Sequence, residues 1–502
     1  MQVREAQHKF FYGEQQRALV DEALAKLPQA TSPQGTHEVL DGLARQLEAL
    51  REFERCSRES MGPAELKRNY RQAAILEASA SCISCICALG DGRLVSGDHS
   101  GILRVWRERP DGSWENQELP TGEGVVDRIR AMPGGGFASI TLRYDDDNEL
   151  GSSACFVWQE DAVGQWRGRQ LALGNVKTIE LSLLPGGGIV SLADRAATVW
   201  RRDGKGEWTS AELGQTVHTF AVRPDGRIVV ANYATSSIEV WGEQPSGDWT
   251  RKKILIDTVY GTENLQVLRC GRIVSKHGNF WSDGSQVFVL TEEANGEWSG
   301  NALHNREQGH LGTFKVLPSG LVAAGSSRNR QIRLWRETSR GEWSSGAVGE
   351  SELDISNLHE LPSGRFAEQQ WQGAIIVWQP EDSGEWKRTD IWRAGPGEYL
   401  AGSRVFPGGD IVSIIASRRL DDDDYPPHEE NRLMLLRGSD DGSFSYEEAS
   451  LHGVSRRCLK ESAHIDVRQT KVVTLPDGEL VVRLGTNQLF IFDGDTPPEG
   501  LK

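Results

Sequence analysis

Three groups of residues in this sequence have types and spacings that could do chemistry. Cys82-x-x-Cys85 has the spacing of half a zinc site or of a redox dithiol. No second pair at zinc spacing follows, and the run around it is apolar and strand-like, so these read as core thiols. Two acidic clusters come next: Asp145, Asp146 and Asp147 in RYDDDNEL, and Asp421, Asp422, Asp423 and Asp424 in RRLDDDDYPPHEENR, which also holds His428, Glu429 and Glu430. Dedicated calcium loops alternate their oxygen donors and bend at a glycine. Neither cluster does, so no metal is expected; the plain expectation is a solvated loop, and the functional one is docking of a partner with a basic surface. The third group is aromatic: Trp281, Trp371 and Trp392, with Tyr144, Tyr233, Tyr260 and Tyr425. Aromatic side chains are common anchors of protein interfaces. No Gly-x-Ser-x-Gly elbow, phosphate loop or His-Glu-x-x-His occurs, so no catalytic residue and no cofactor is expected.

The elements that must position these residues are set by a repeat. Two tryptophans eight residues apart recur as Trp106/Trp114, Trp158/Trp166, Trp200/Trp208, Trp241/Trp249, Trp335/Trp343 and Trp378/Trp386, and Leu290/Trp298 and Leu436/Phe444 keep the interval. Upstream of each pair lies Leu-Pro-Asp-Gly or a variant, from LGDGRLVSG at Leu89 to LPDGELVVR at Leu475, nine times in all. From Gly92 to Gly478 the spacing averages about 48 residues. Asp-Gly and Gly-Gly supply the positive φ of tight hairpins, and the runs between them are short, branched or aromatic, and partly alternating. Four antiparallel strands repeated at this period read as propeller blades. A three-residue turn at Asp203-Gly204-Lys205 is expected to set Trp200 directly across from Trp208, an aromatic pair worth about 0.2–1 kcal/mol beyond burial. Thirteen of the 16 tryptophans belong to this scaffold; Trp281, Trp371 and Trp392 do not.

The stretch SGDHSGILRVW, Ser96 to Trp106, resembles the WD-repeat family, and the likeness covers residues 83 to 494. The resemblance implies a closed β-propeller used for protein interaction. The Asp expected after each Trp is Arg, Gln or Gly here, and Gly-His survives plainly only at Gly309-His310. The family's buried Asp-His-Ser-Trp network is therefore expected to be mostly absent, with the tryptophan pairs packing the blades instead. The Ser-x-Asp-x-Gly-x-x-Trp boxes of sialidases are not matched.

The expected fold is all-β: a single closed propeller of about nine four-stranded blades, with eight as the alternative, preceded by a small α-helical segment. Residues 1–73 form the helical module, 74–496 the propeller and 497–502 a tail. The ninth repeat lacks a fourth strand, so a segment around Ala74 to Ala80 is expected to close the last blade and remove its open edge. HKFFYGEQQRALVDEALAKL and THEVLDGLARQLEALREFERC read as amphipathic helices, the second capped by Thr36. Leu27-Pro28 followed by VLDGLARQLEALREFERC resembles an F-box without its tryptophan, which implies a ubiquitin-ligase adaptor.

Composition narrows the function classes. A net charge of −16 opposes the phosphate neutralisation that nucleic-acid binding needs. No apolar run is long enough to cross a membrane, and 7 cysteines, an odd number, point away from a disulfide framework and toward a reducing compartment. The expectation is a cytoplasmic monomer; delivery into a host cell without a cleaved signal is the alternative. In a meander, successive turns alternate between opposite strand ends. The uniform Asp-Gly turns therefore share one end, and the variable links share the other, where binding specificity usually sits. All the candidate aromatics and both acidic clusters fall in or beside those links. The expected function is a non-enzymatic scaffold or adaptor that docks a protein partner on the variable links. The alternatives are a propeller hydrolase or lyase with a central site, and an injected effector or ubiquitin-ligase-like adaptor using the helices.

Overall fold

The computed structural model describes residues 68–78, 81–122, 124–132, 135–144, 150–174, 178–193, 195–203, 207–214, 216–232, 237–244, 246–256, 261–278, 284–304, 310–325, 331–339, 341–350, 355–370, 373–381, 385–395, 398–406, 409–418, 429–438, 443–450, 471–476, 479–483 and 488–495. Of the expected helical module over 1–73, residues 1–67 lie outside them, and 68–73 belong to a strand because they pair with the last strand of the chain.

Within the described residues the chain forms nine four-stranded antiparallel sheets, and eight of them are meanders of consecutive strands. Blade 1 comprises Ile83–Ala88, Leu94–Asp98, Ile102–Glu108 and Trp114–Pro120. Blades 2 to 8 follow along the chain in the same order, with first strands beginning at Val125, Thr178, Val217, Thr262, Thr313, Ile355 and Glu398. Blade 9 differs: Lys471–Thr474, Leu480–Arg483 and Gln488–Asp495 are completed by the strand Arg68–Glu77, which pairs antiparallel with Gln488–Asp495. That strand begins before residue 74. The architecture is an all-β, nine-bladed propeller, and the eight-bladed alternative is set aside.

Two compact units divide the blades. Ile179–Arg328 with Arg333–Ala347 holds blades 3, 4 and 5 and most of 6; Arg58–Thr178, Asn329–Ile332 and Val348–Lys502 hold blades 7, 8, 9, 1 and 2. In each unit the core lies between the faces of neighbouring blades. The second strands show no alternation of buried and open positions, because both of their faces are covered. Leu94–Asp98 and Ile273–His277 are buried at every position, which is why LVSGD and IVSKH carry no regular polar face. Fourth strands have one open edge and read polar, as in WENQELP and WTRKKIL. Leu89, Val95, Leu103, Val126 and Phe137 pack blade 1 on blade 2, and Leu475, Val481, Ile83 and Leu94 pack blade 9 on blade 1.

The Asp-Gly turn is built as its sequence requires. Leu89 N–H donates to Arg93 O at 2.8 Å, Gly92 N–H donates to Leu89 O at 3.2 Å, and Gly92 takes φ 89°. Such a φ is strained for any side chain with a Cβ.

The tryptophan register differs from the expectation. Trp200 lies opposite Ser210, and Trp208 opposite Arg202. The turn is five residues long, closed by Asp203 N–H donating to Glu207 O at 2.8 Å, and the added length shifts the pairing. The two indoles are therefore diagonal neighbours with separate tasks. The third-strand indole fills its own blade: Trp106, Trp158 and Trp200 donate to Ser96, Ser139 and Ser191 at 2.8, 3.0 and 3.0 Å. The Ser-Trp half of the network that the WD-repeat resemblance implied is present in these blades. In blade 7 the acceptor is the buried carboxylate of Glu368, 2.8 Å from Trp378 Nε1.

In blades 2, 4, 5 and 6 the fourth-strand indole instead receives an arginine from the preceding blade. Arg93 of blade 1 lies 4.9 Å from the Trp166 ring of blade 2 and donates to Glu160 at 2.7 Å. Arg201 of blade 3 sits 4.9 Å from Trp249 and pairs with Glu243 of blade 4. Arg223 and Arg227 of blade 4 meet Trp298 and Glu292 of blade 5, with Arg227 bidentate at 2.8 and 2.6 Å. Arg272 of blade 5 meets Trp343 and Glu337 of blade 6. Burial alone would raise the Glu292 carboxyl, but the Arg227 and Arg223 guanidiniums outweigh it and hold the group below the ordinary carboxylate range. We call this arrangement the guanidinium clasp.

Candidate functional site

Among the sequence-predicted site residues, Trp281, Trp371, Tyr233, Tyr260, Tyr425, Asp145, Asp146, Asp147, Asp421, Asp422, Asp423 and Asp424 lie outside the described residues. Two are placed. Trp392 is in the fourth strand Trp386–Arg393 of blade 7, opposite Ile375, half-buried against the cluster that holds Leu361, Ile375 and Leu400. Tyr144 ends the second strand Phe137–Tyr144 of blade 2 and is 50% exposed.

Tyr144 stands beside a platform made by the variable links of blades 1 and 2. The second strand of blade 1 ends at Asp98, which is fully buried. Its carboxylate accepts from Ser100 N–H at 2.9 Å, Ser100 Oγ at 2.7 Å and Ile102 N–H at 3.0 Å, and forms a 2.6 Å ion pair with buried Arg104. Arg104 reaches on to Glu118 at 2.8 Å. A buried ion pair is tolerated when its remaining lone pairs are satisfied, and these are.

The next link is tied down in turn. Thr141 Oγ1 donates to Thr121 Oγ1 at 2.9 Å, and Thr121 Oγ1 donates to Gly101 O at 2.7 Å. Gly101, at φ 79°, has no room for a Cβ, which would lie 2.2 Å from Gly122 O. Gly124, at φ 121°, admits the Arg143 stem, whose Cγ would sit 2.9 Å from a Cβ there. Tyr144 and Arg143 are exposed at the blade 2 end of this braced link, and His99 is exposed in the second-to-third strand link of blade 1. Burial and the nearby Arg483 guanidinium push the His99 pKa down, Asp98 opposing them, so the imidazole is held toward its neutral form. Arg483 itself is buried and donates to Ile83 O at 2.9 Å, joining blade 9 to blade 1.

The exposed Tyr144 phenol beside this braced link suits recognition. The described Ser-His contact lies elsewhere and has no access: Ser275 Oγ and His277 Nε2 are 3.0 Å apart, both residues are fully buried, and Thr262 lies 3.3 Å from the other ring nitrogen. In blade 5 a leucine, Leu290, takes the third-strand tryptophan's place, and His277 takes the serine hydroxyl instead. Among the described residues no three His, Cys, Asp or Glu side chains gather as a metal site. Of the Cys82-x-x-Cys85 pair, Cys85 is buried and Cys82 half-buried, and neither is in a disulfide. Burial pushes the Cys155 thiol to about 12, which leaves it unreactive.

Sequence reasoning missed the Asp98-Arg104 pair and Arg483. The first had a signal, since SGDHSG places an Asp where a link must be capped. Arg483 had none, because its role depends on contact between blade 9 and blade 1.

No family model matches the chain, and no curated protein matches it either. Solved structures similar to it include Sqt1 of Chaetomium thermophilum, 14% identical over 69% of this chain and 96% of that one, with a TM-score of 0.44. The WD40 β-propeller domain of Doa1 is 12% identical over 85% and 98%, with a TM-score of 0.31. Virginiamycin B lyase from Staphylococcus aureus is 12% identical over 62% and 96%, with a TM-score of 0.33. Likeness at this level carries no argument about activity. On its own strand order and register, the chain is a nine-bladed β-propeller with WD-repeat-like blades.

Proposed function

We propose that this protein is a non-enzymatic interaction scaffold that docks a protein partner on its variable links. The observation that carries this reading is Tyr144, half exposed at the end of a strand whose Thr141 is tied to the blade 1 link through Thr121. An anchor on a pre-organised base loses little entropy on binding. Trp281, Trp371 and the tyrosines Tyr233, Tyr260 and Tyr425 occupy links at the same strand ends in the sequence and would extend the surface. The acidic links at Asp145–Asp147 and Asp421–Asp424 would favour a partner with a basic face.

The test compares the proteins captured by the wild type with those captured by Tyr144→Ala and by Trp281→Ala/Trp371→Ala. Hot-spot truncation costs about 2 kcal/mol or more, so a specific partner should be depleted about thirtyfold. Full recovery of every partner by folded variants would contradict the proposal.

A further inference from the structure

The guanidinium clasp has one receptor, Glu108 with Trp114, to which no cation comes from the preceding blade among the described residues. We propose that Glu108 and Trp114 of blade 1 bind the guanidinium of an arginine presented by a protein partner.

The receptor half of the clasp repeats in register. Glu160 lies opposite Trp166, Glu243 opposite Trp249 and Glu292 opposite Trp298, and each pair holds an arginine from the preceding blade. Glu108 lies opposite Trp114 in the same register. The turn glycine stands against the carboxylate in the same way: a Cβ on Gly112 would be 4.0 Å from Glu108 Oε1, and one on Gly164 would be 3.7 Å from Glu160 Oε1.

What differs is the donor. Arg93, Arg227 and Arg272 each accept the backbone bond that closes their turn, at 2.8, 2.8 and 2.9 Å. In blade 9 the residue accepting that bond, at 2.9 Å from Leu475 N, is Glu479. Blade 9 still packs on blade 1 through the cluster of Leu475, Val481, Leu94 and Trp106, and Trp114 lies against that cluster. The guanidinium position is therefore flanked by the Trp114 indole and Glu108. Among the described residues no cation lies over Trp114 and none is paired with Glu108. The neighbouring Arg109 is committed to Glu115 at 3.0 and 2.7 Å.

The ligand is a guanidinium because the filled clasps hold one. Its plane stacks on the ring while its fork bonds both carboxylate oxygens, as Arg227 does with Glu292. A lysine ammonium cannot do both. The site lies at the Asp-Gly turn ends of the strands, so it is independent of the variable-link surface.

The experiment uses the full chain labelled with fluorotryptophan, with the Trp114 resonance assigned by its loss in Trp114→Phe. The probe is acetyl-Gly-Arg-Gly-amide, with the lysine peptide as control. The account expects a saturable shift of Trp114 with the arginine peptide, weakened about tenfold or more by Glu108→Ala. Glu479→Arg should fill the site from within, raising Tm and abolishing the shift. No shift at Trp114, equal binding of the lysine peptide, or undiminished binding by Glu108→Ala would each overturn the proposal.

Discussion

At the scale of single residues, the repeat works by giving the buried third-strand indoles an acceptor. Ser96, Ser139 and Ser191 do so in blades 1 to 3, and in blade 6, where Ala324 stands at the serine's place, Trp335 donates to Leu303 O at 2.9 Å. Blade 4 is the exception. Val230 occupies the serine position, and Trp241 Nε1 is buried without an acceptor. An unmet buried donor costs about 1–3 kcal/mol. Valine-to-threonine exchange in a core normally destabilises because it buries a hydroxyl. Val230→Thr should escape that cost by accepting from Trp241, whereas Val190→Thr, at a comparably buried site in blade 3, should not. Thermal unfolding of the two variants checks this; an equal loss would contradict the assignment.

Elements come next, where small residues decide which clasp forms. In blade 3 the arginine position of the turn is Gly188, and the cation comes from the adjacent third strand as Arg201. The exchange is steric. A Cβ on Gly188 would sit 2.9 Å from Trp200 O and 3.1 Å from Arg201 Cγ, so alanine there must displace the arginine stem. Gly188→Ala should cost about 1–3 kcal/mol and break the contact with Trp249 and Glu243. Gly186→Ala, with open space around it, should stay within about 0.5 kcal/mol. Comparable melting of the two would remove the steric explanation.

For the whole molecule, the repeat count, the four-strand blade and the scaffold role of the tryptophans were legible in the sequence, because turn glycines and branched runs are local signals. The register was not: an eight-residue interval fits a direct pair and a diagonal one, and only the five-residue turn closed at Asp203 and Glu207 separates them. Nor was the clasp, whose partners Arg93 and Glu160 lie 67 residues apart and meet only when blades pack. Of the site, Tyr144 was legible as an aromatic in a link, whereas the Asp98-Arg104 pair of the neighbouring blade depended on burial.

The central claim is that the partner's main docking surface is the variable links, while the open face of the blade 8 outer strand serves the scaffold. Two tyrosines separate these possibilities: Tyr144 at a link, 50% exposed, and Tyr446 on the fourth strand of blade 8, 65% exposed. Hydroxyl-radical footprinting with and without a captured partner reads both at once. The account predicts that partner binding protects Tyr144 and leaves Tyr446 unchanged; protection of Tyr446 with Tyr144 still open would contradict it.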